Sequence, residues 1–201
     1  MDGASVKQRD YAGAKLGMWL FLATELFLFL GPFLLYYAYR HRYGAGFSAA
    51  SAELNLALGA LNTAVLLTSS LTMALSISAV RKGNRALAAV FLVATILLGL
   101  FFLFNKYMEW SVELGRGMYP GSVVLAGAEG EGLFFGLYYL MTGVHGLHVL
   151  GGVALLGAML SMVLSGKVNS ADFVRLENSG LYWHFVDIIW IYLFPFFYLV
   201  A

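Results

Sequence analysis

The sequence contains no cysteine, and only 11% of its 201 residues are charged. Without cysteine the chain has no disulfides and no thiolate ligands for zinc or iron–sulfur clusters. It also lacks the signatures of phosphate-binding loops, metalloproteases and nucleophile elbows. Soluble domains average about 25% charged residues, so a chain that is 61% apolar is typical of a protein whose solvent is lipid.

Five apolar runs are long enough to cross a bilayer, whose core of roughly 30 Å needs about 20 helical residues. The runs are Leu16–Tyr39, Leu54–Val80, Ala86–Tyr107, Leu133–Leu164 and Gly180–Val200. Backbone groups cannot stay unpaired in hydrocarbon, so each run is a helix or a barrel strand. Barrel strands alternate apolar and polar residues over about ten positions, and these runs do not. The sequence therefore predicts an all-α, polytopic membrane bundle of five transmembrane helices, with residues 1–201 as a single membrane domain.

The distribution of Lys and Arg predicts the orientation of the chain. The N-terminal tail and the second and fourth loops carry eight of these residues, and the opposite side carries four. We therefore expect a cytoplasmic N-terminus and, after five crossings, a C-terminus on the outer side. The loop from Met108 to Gly132 contains four glutamates and is expected to be acidic and external.

Helix two carries small and polar residues at offsets of 0, 4, 7, 14 and 21, which is one face of a helix. The residues are Asn55, Gly59, Asn62, Ser69 and Ser76. In membranes, such residues let helices approach closely and hydrogen-bond to each other. We interpret this face as a helix-packing surface.

Glu25 lies near the middle of helix one, where a carboxylate costs about 3 kcal/mol on insertion scales. It is either a buried polar residue bonded to a neighbouring helix or a contact for a proton or a lipid headgroup. Helix one runs outward and helix four inward, so His148 has a similar depth to Glu25. Because neither group can be left bare, we expect both side chains to face the same space between helices.

His145 and His148 share a face of helix four. Two imidazoles could bind a metal or haem, but no further His or Cys is placed to complete a ligand set. The neighbouring Gly143 and Gly146 indicate a close helix crossing. We therefore predict no metal site, and we interpret both histidines as polar residues of the packing surface.

His184 and Asp187 form a third polar group, three residues apart on helix five. We predict a structural hydrogen-bonded pair that lowers the cost of burying both side chains. A proton relay is the alternative, but it needs a chain of groups across the bilayer, and helix three supplies no central acid, base or histidine. The sequence indicates no catalytic residue.

Four motifs resemble those of subunit III of haem–copper respiratory oxidases, in the short five-helix form of the cytochrome c oxidase subunit III family. They cover residues 17–25 (GMWLFLATE), 61–70 (LNTAVLLTSS), 143–149 (GVHGLHV) and 182–190 (YWHFVDIIW). Their order and spacing also agree with the family, and the resemblance extends over essentially the whole chain. Longer members of the family have seven helices, and the resemblance begins at the third.

The resemblance implies a non-catalytic subunit in the plasma membrane of a prokaryote, within an oxidoreductase complex that reduces oxygen. Its partners would be the catalytic subunit I, subunit II and a small subunit IV, together with membrane lipids and no nucleic acid. Haem and copper would lie in the partner subunits and not in this chain. The chain would stabilise the catalytic subunit, support proton uptake and bind phospholipid, with Glu25, His145 and His148 as the lipid-binding candidates.

Two relatives within this resemblance remain as alternatives: subunit III of a quinol oxidase and a homologue associated with nitric-oxide reductase. Quinol-oxidase members tend to carry Asp in helix one, so Glu25 favours cytochrome c as the electron donor. A small transporter, from a different class, would show a charged path and an inverted repeat. Neither is visible in the sequence.

Overall fold

The computed structural model describes the backbone of residues 2–126 and 129–200, and within these ranges the side chains from residue 11 onward. The described chain is helical, apart from short connections and one isolated β-bridge. Its helices are α1 (Asp2–Arg42), α2 (Gly44–Ala52), α3 (Leu56–Arg81), α4 (Arg85–Gly115), α5 (Glu131–Leu164) and α6 (Val174–Tyr198), with a 3₁₀ turn at Val123–Leu125. Every helix except α2 is long and apolar enough to cross a membrane. The prediction of an all-α bundle with five spans is confirmed.

The helices differ from the five predicted runs mainly in their ends. The third run was expected to stop at Tyr107, but α4 continues for two more turns to Gly115, so the loop expected from Met108 begins after that helix. The last run was expected to begin at Gly180, whereas α6 begins at Val174, and α2 was not predicted. The predicted runs end where the sequence stops being apolar. Lys, Met and Glu are good helix formers, so the backbone helix continues past these charged and flanking residues.

The connection between α3 and α4 is a tight reversal of three residues, Lys82 to Asn84. Gly83 has φ +77°, a conformation that glycine adopts without a steric penalty. The Asn84 N–H reaches back to the carbonyl of Ala79 at 2.9 Å, and the Gly83 N–H reaches that of Val80. This bonding satisfies carbonyls at the end of α3. The Asn84 side chain then accepts the Leu87 N–H and caps α4, so the two helices lie side by side.

Helices α3, α4, α5 and α6 pack around the buried core, and α1 lies outside against α5 and α6. The centre of the packing is Trp183, whose ring fills space left by two glycines. A Cβ at Gly99 or Gly152 would lie within 3 Å of that ring. The Trp183 indole N–H donates to Ser69 Oγ at 3.0 Å. Small residues thus bring α4 and α5 onto α6, as expected for helices without a hydrophobic driving force between them.

Four of the five residues on the polar face of α3 are buried between helices: Gly59, Asn62, Ser69 and Ser76. Asn62 Oδ1 accepts a hydrogen bond from Asn105 Nδ2 at 3.0 Å, and Ser76 Oγ donates to the Ala88 carbonyl. Asn55 differs from our expectation, because it is exposed and its side chain accepts the Leu58 N–H at 3.1 Å. It caps α3.

The C-terminal end of α6 is closed by side chains from α1 and α2. Ser51 Oγ donates to the Phe197 carbonyl at 2.7 Å, and Ser48 Oγ to the Val200 carbonyl at 3.1 Å. The Tyr36 hydroxyl donates to the carbonyl of Phe196. The last carbonyls of a helix have no partner within it, so the bonds to Phe196 and Phe197 satisfy groups that would otherwise be unpaired. They also fix α2 against the bundle.

Candidate functional site

Glu25 on α1 and His148 on α5 form a pair across the helix boundary. Glu25 Oε2 lies 2.8 Å from His148 Nε2, and each side chain is 17% exposed. The expectation that the two side chains face the same interhelical space is therefore confirmed. The Phe29 ring packs against the imidazole at 5.3 Å between ring centroids, which shields the pair on one side.

The hydrogen bonds of His148 define how many protons the pair holds. His148 Nδ1 lies 2.7 Å from the Val144 carbonyl oxygen, which can only accept, so Nδ1 carries a hydrogen. A hydrogen bond between His148 Nε2 and Glu25 Oε2 requires one further proton between these two atoms. The pair is neutral overall whether that proton sits on the carboxyl or on the imidazole.

A groove between α1, α5 and α6 adjoins this pair and has a cavity volume of about 490 Å³. Its walls are mainly apolar side chains, among them Met18 and Phe21 from α1 and Leu155 from α5. Tyr182 links the groove to the pair, because it lines the groove and its hydroxyl donates to the His148 carbonyl at 3.0 Å. Arg175 is also in the lining. The groove thus combines an apolar wall with a single cation.

Charged side chains near Arg175 attach α1 to the bundle. Glu177 on α6 accepts a hydrogen bond from the Tyr11 hydroxyl at 2.9 Å and lies 3.0 Å from Lys15 Nζ, both on α1. Arg81 at the end of α3 forms a further ion pair with Glu177. We call the end of the bundle that holds these residues the basic end. It includes the α3–α4 reversal, with Lys82 and Arg85.

His145 lies away from the Glu25–His148 pair, although it is on the same helix as His148. It is completely buried between the rings of Phe102 and Trp190, with centroid distances of 5.5 and 5.3 Å. Neither ring nitrogen has a hydrogen-bond partner in the described part of the chain. Within that part, no group of three or more His, Asp or Glu side chains is arranged to hold a metal.

His184 and Asp187 do not form the expected pair, and this is a correction. His184 Nδ1 lies 2.5 Å from Ser70 Oγ on α3. Asp187 is only 3% exposed, and neither carboxylate oxygen has a hydrogen-bond partner among the described residues. Ser70 is also a neighbour of Asp187, but its hydroxyl is aligned with the imidazole. Residues three apart differ by about 60° around a helix, and here a side chain of the next helix is the better-placed partner.

Sequence reasoning missed a second polar cluster, at the opposite end of α4. Lys106 Nζ lies 2.9 Å from Glu109 Oε2, 2.9 Å from the Tyr138 hydroxyl and 2.9 Å from the Tyr198 hydroxyl. The Tyr198 hydroxyl donates to Glu109 Oε1 at 2.5 Å. We call these four residues the lysine cluster. Lys106 is 7% and Glu109 2% exposed, although Glu109 was assigned to an external loop.

A signal for this cluster was present in the sequence. Lys106 and Glu109 are three residues apart and continue the helical register of the apolar run, so opposite charges share one face. Ending the predicted helix at Tyr107, between the two charged residues, hid that spacing. We call the end of the bundle that holds the lysine cluster the acidic end, because Glu53, Glu113 and Glu129 also lie there.

The fold and the buried polar groups define a class: a polytopic helical membrane protein that buries ionisable side chains between its helices. A family model described as cytochrome c oxidase subunit III matches residues 4–201. The chain therefore belongs to the cytochrome c oxidase subunit III family, as the resemblance predicted. It is a subunit III of the haem–copper oxidase type, and members of that family carry no redox centre.

Individual relatives support this family assignment over the full length. A probable cytochrome c oxidase subunit 3 of Nocardia farcinica is 30% identical over 203 residues, covering 98% of this chain and 96% of the relative. A probable quinol oxidase subunit 3 of Staphylococcus haemolyticus is 30% identical over 204 residues, covering 100% and 96%. Cytochrome c oxidase subunit 3 of Yarrowia lipolytica is 31% identical over 201 residues, covering 92% of this chain and 67% of the longer relative.

Proposed function

We propose that this chain is the non-catalytic subunit III of an oxygen-reducing oxidase, where it stabilises the catalytic subunit, supports proton uptake and holds phospholipid. Its partners are subunit I, subunit II and a small subunit IV, and these partners carry the haem and copper. The observation that carries the proposal is the Glu25–His148 hydrogen bond of 2.8 Å beside an apolar groove.

The pair supports a role in proton uptake because a mid-membrane carboxylate is expensive and needs a compensating partner. A purely structural Glu would be enclosed, but Glu25 is 17% exposed at the boundary of α1, where a proton or a headgroup can reach it. One proton can move between Glu25 and His148 without changing the net charge of the pair. These properties support a role in which the pair takes up and releases a proton.

The groove supports phospholipid binding through the arrangement of its walls. Met18, Phe21 and Leu155 offer an apolar surface for an acyl chain, and the Arg175 guanidinium offers a cation for a phosphate. Arg175 is exposed at the basic end, where lipid headgroups lie if that end faces the cytoplasm. A bound lipid would cover the side of α1 that packs only partly against α5 and α6.

We infer that residues 1–201 act as one membrane domain in the plasma membrane of a prokaryote. The basic end carries Lys15, Arg81, Lys82, Arg85, Lys167 and Arg175. An excess of Lys and Arg marks cytoplasmic loops. This distribution supports a cytoplasmic N-terminus and a C-terminus on the periplasmic side.

Phospholipid binding is tested by filling the groove. Gly151 lines the groove, so Gly151→Leu places a side chain inside it. Gly157→Leu is the matched control, because a Cβ there meets no atom within 4 Å. The complex is purified through a tag on this chain, and its lipids are extracted and counted by mass spectrometry against haem. We expect loss of bound phospholipid only with Gly151→Leu. Equal lipid content in both variants would contradict the lipid site.

The electron donor separates two versions of the proposal. We propose cytochrome c, on the basis of Glu25, and quinol is the second candidate because the Staphylococcus haemolyticus relative is named as a quinol oxidase subunit. Oxygen consumption of the purified complex is measured with reduced cytochrome c and, separately, with a reduced quinol. Turnover with quinol alone would replace the first version by the second.

A further inference from the structure

The acidic end contains a second groove, which none of the proposed roles uses. It lies between the start of α3 and the end of α4 and has a cavity volume of about 430 Å³. Its polar lining consists of Glu53, Asn55, Glu109, Glu113 and Arg116. We call it the acidic groove.

Glu113 is the unusual member of this lining. Its side chain is 3% exposed, and Oε2 has no hydrogen-bond partner in the described part of the chain. The nearest cation is Arg116, whose Nη1 lies 3.9 Å from Oε1, and the Arg116 side chain is 55% exposed. A buried carboxylate oxygen without a partner is costly, so a group that pairs with it would bind favourably.

The charges around the groove leave an excess of negative charge. Glu109 is already neutralised by Lys106 at 2.9 Å within the lysine cluster. The remaining carboxylates are Glu53 and Glu113, and Arg116 is the one remaining cation of the lining. Two negative charges against one positive charge give a formal excess of −1. The groove therefore matches a cation.

The depth of Glu113 indicates where that cation comes from. Glu113 is 28 residues along α4 from Arg85, which is about 42 Å at 1.5 Å per residue. The hydrocarbon core is roughly 30 Å thick, and the bilayer with its headgroups is about 40–45 Å. Glu113 thus lies at the headgroup level on the side of the membrane opposite Arg85. That is the level of the extramembrane loops of neighbouring subunits and not of lipid tails.

We propose that a basic side chain of a neighbouring oxidase subunit inserts into the acidic groove and pairs with Glu113. An arginine fits best, because its planar guanidinium can bind Glu113 and still donate to a second acceptor such as Glu53. The inference rests on the proposed function in one respect, since it requires that the chain assembles with other oxidase subunits. It adds the position and the chemistry of one contact.

The absence of cysteine allows this contact to be tested in the assembled complex. Met108 lines the groove and is 48% exposed, so Met108→Cys introduces a single thiol that leaves the carboxylates intact. Leu97→Cys is the control on the same helix, 60% exposed but deep within the membrane span. A thiol-specific photo-cross-linker is attached in native membranes. After irradiation, the complex is purified through this chain and cross-linked peptides are identified by mass spectrometry.

We expect Met108→Cys to cross-link to a peptide of another subunit that contains Arg or Lys, and Leu97→Cys not to reach that peptide. Adding Glu113→Gln should reduce the yield of this product about tenfold or more, because it removes one partner of a buried charge pair. Glu129→Gln, an exposed glutamate of the same end outside the groove, should leave the yield unchanged. If Glu113→Gln lowers the amount of chain in the membrane, the test uses Glu53→Gln instead, because Glu53 is exposed. We then expect a smaller reduction in the yield of the cross-linked product.

Cross-links to lipid alone, to peptides without a basic residue, or with a yield independent of Glu113 and Glu53 would overturn the inference. Haem in the same purified material distinguishes this failure from failure of the proposed function. If haem-bearing subunits co-purify but the cross-link is missing, only the inference fails. If no haem-bearing subunit co-purifies, the proposed function fails and the inference with it.

Discussion

The Glu25–His148 pair and the lysine cluster both place ionisable side chains inside the bundle, but they satisfy them in different ways. Glu25 has one partner, and both members of its pair are partly exposed at the boundary between α1 and α5. Lys106 has three oxygen partners and is enclosed by the rings of Tyr138, Trp190 and Tyr198. A single bond at a groove allows exchange with the surroundings, whereas an enclosed network holds its members in place. We therefore propose exchange for the first site and structural support for the second.

The largest expected effect is the loss of Lys106. Lys106→Met keeps the length of the side chain but leaves Glu109 as a buried charge without its cation, which costs about 3–5 kcal/mol in the free energy of unfolding. The measurement is the thermal unfolding midpoint of the purified chain in mild detergent. Lys82→Met, at an exposed position, is the control. Equal shifts in both variants would remove the distinction between an enclosed and an exposed lysine.

Glu25→Gln should have a much smaller effect on stability than Lys106→Met. The Gln amide can donate to His148 Nε2, so the hydrogen bond is kept while the exchangeable proton is lost. We expect an unfolding midpoint close to that of the unchanged chain and a loss of activity that grows during sustained turnover. The check is oxygen consumption per haem over time. If Glu25→Gln lowers stability as much as Lys106→Met, the pair is structural and not an exchange site.

The energetic coupling within the pair gives a second test. Glu25→Leu and His148→Leu each leave a polar group unpaired, and together they leave none. The double variant should therefore cost about 1–2 kcal/mol less than the sum of the single variants. The readout is the free energy of unfolding, with Glu25→Leu combined with His184→Leu as the uncoupled control. Additive costs in both combinations would show that the 2.8 Å contact contributes nothing.

The contrast between the two sites also shows what the sequence could predict. Glu25 and His148 are isolated polar residues within apolar runs, so their depth in the membrane follows from counting residues. Because they lie at a similar depth, pairing with each other lowers the free-energy cost of burying both. Lys106 and Glu109 lie where an apolar run ends, and a hydropathy pattern cannot distinguish a charged loop from a helix that buries its charges against tyrosines. The His184–Asp187 pairing failed for a related reason. The spacing gives residues that share a face, but it does not reveal that Ser70 of another helix is better placed.

Because His184 bonds to Ser70 and not to Asp187, we expect different effects when each of the two residues is replaced. His184→Leu removes the hydrogen bond between the imidazole and the Ser70 hydroxyl, at a cost of about 0.5–1.5 kcal/mol. Asp187→Leu removes a buried carboxylate that has no hydrogen-bond partner among the described residues, so it should cost less than His184→Leu or even stabilise the fold. The amount of chain retained in the purified complex and its unfolding midpoint test this order. The reverse order would indicate that Asp187 has a partner in the assembled complex.

The smallest effect is expected at the basic end, where α1 is attached through Glu177. Tyr11→Phe removes one hydrogen bond of 2.9 Å to that carboxylate and leaves the contacts with Lys15 and Arg81. These cations are 36% and 57% exposed, and exposed ion pairs contribute about 0–1 kcal/mol. Because Glu177 keeps both cations as partners, we expect the lost hydrogen bond to cost at most about 1 kcal/mol. Tyr37→Phe, exposed near the other end of α1, is the control. A large loss of stability with Tyr11→Phe would mean that the basic end also depends on an enclosed hydrogen-bond network, and the difference between the two ends would disappear.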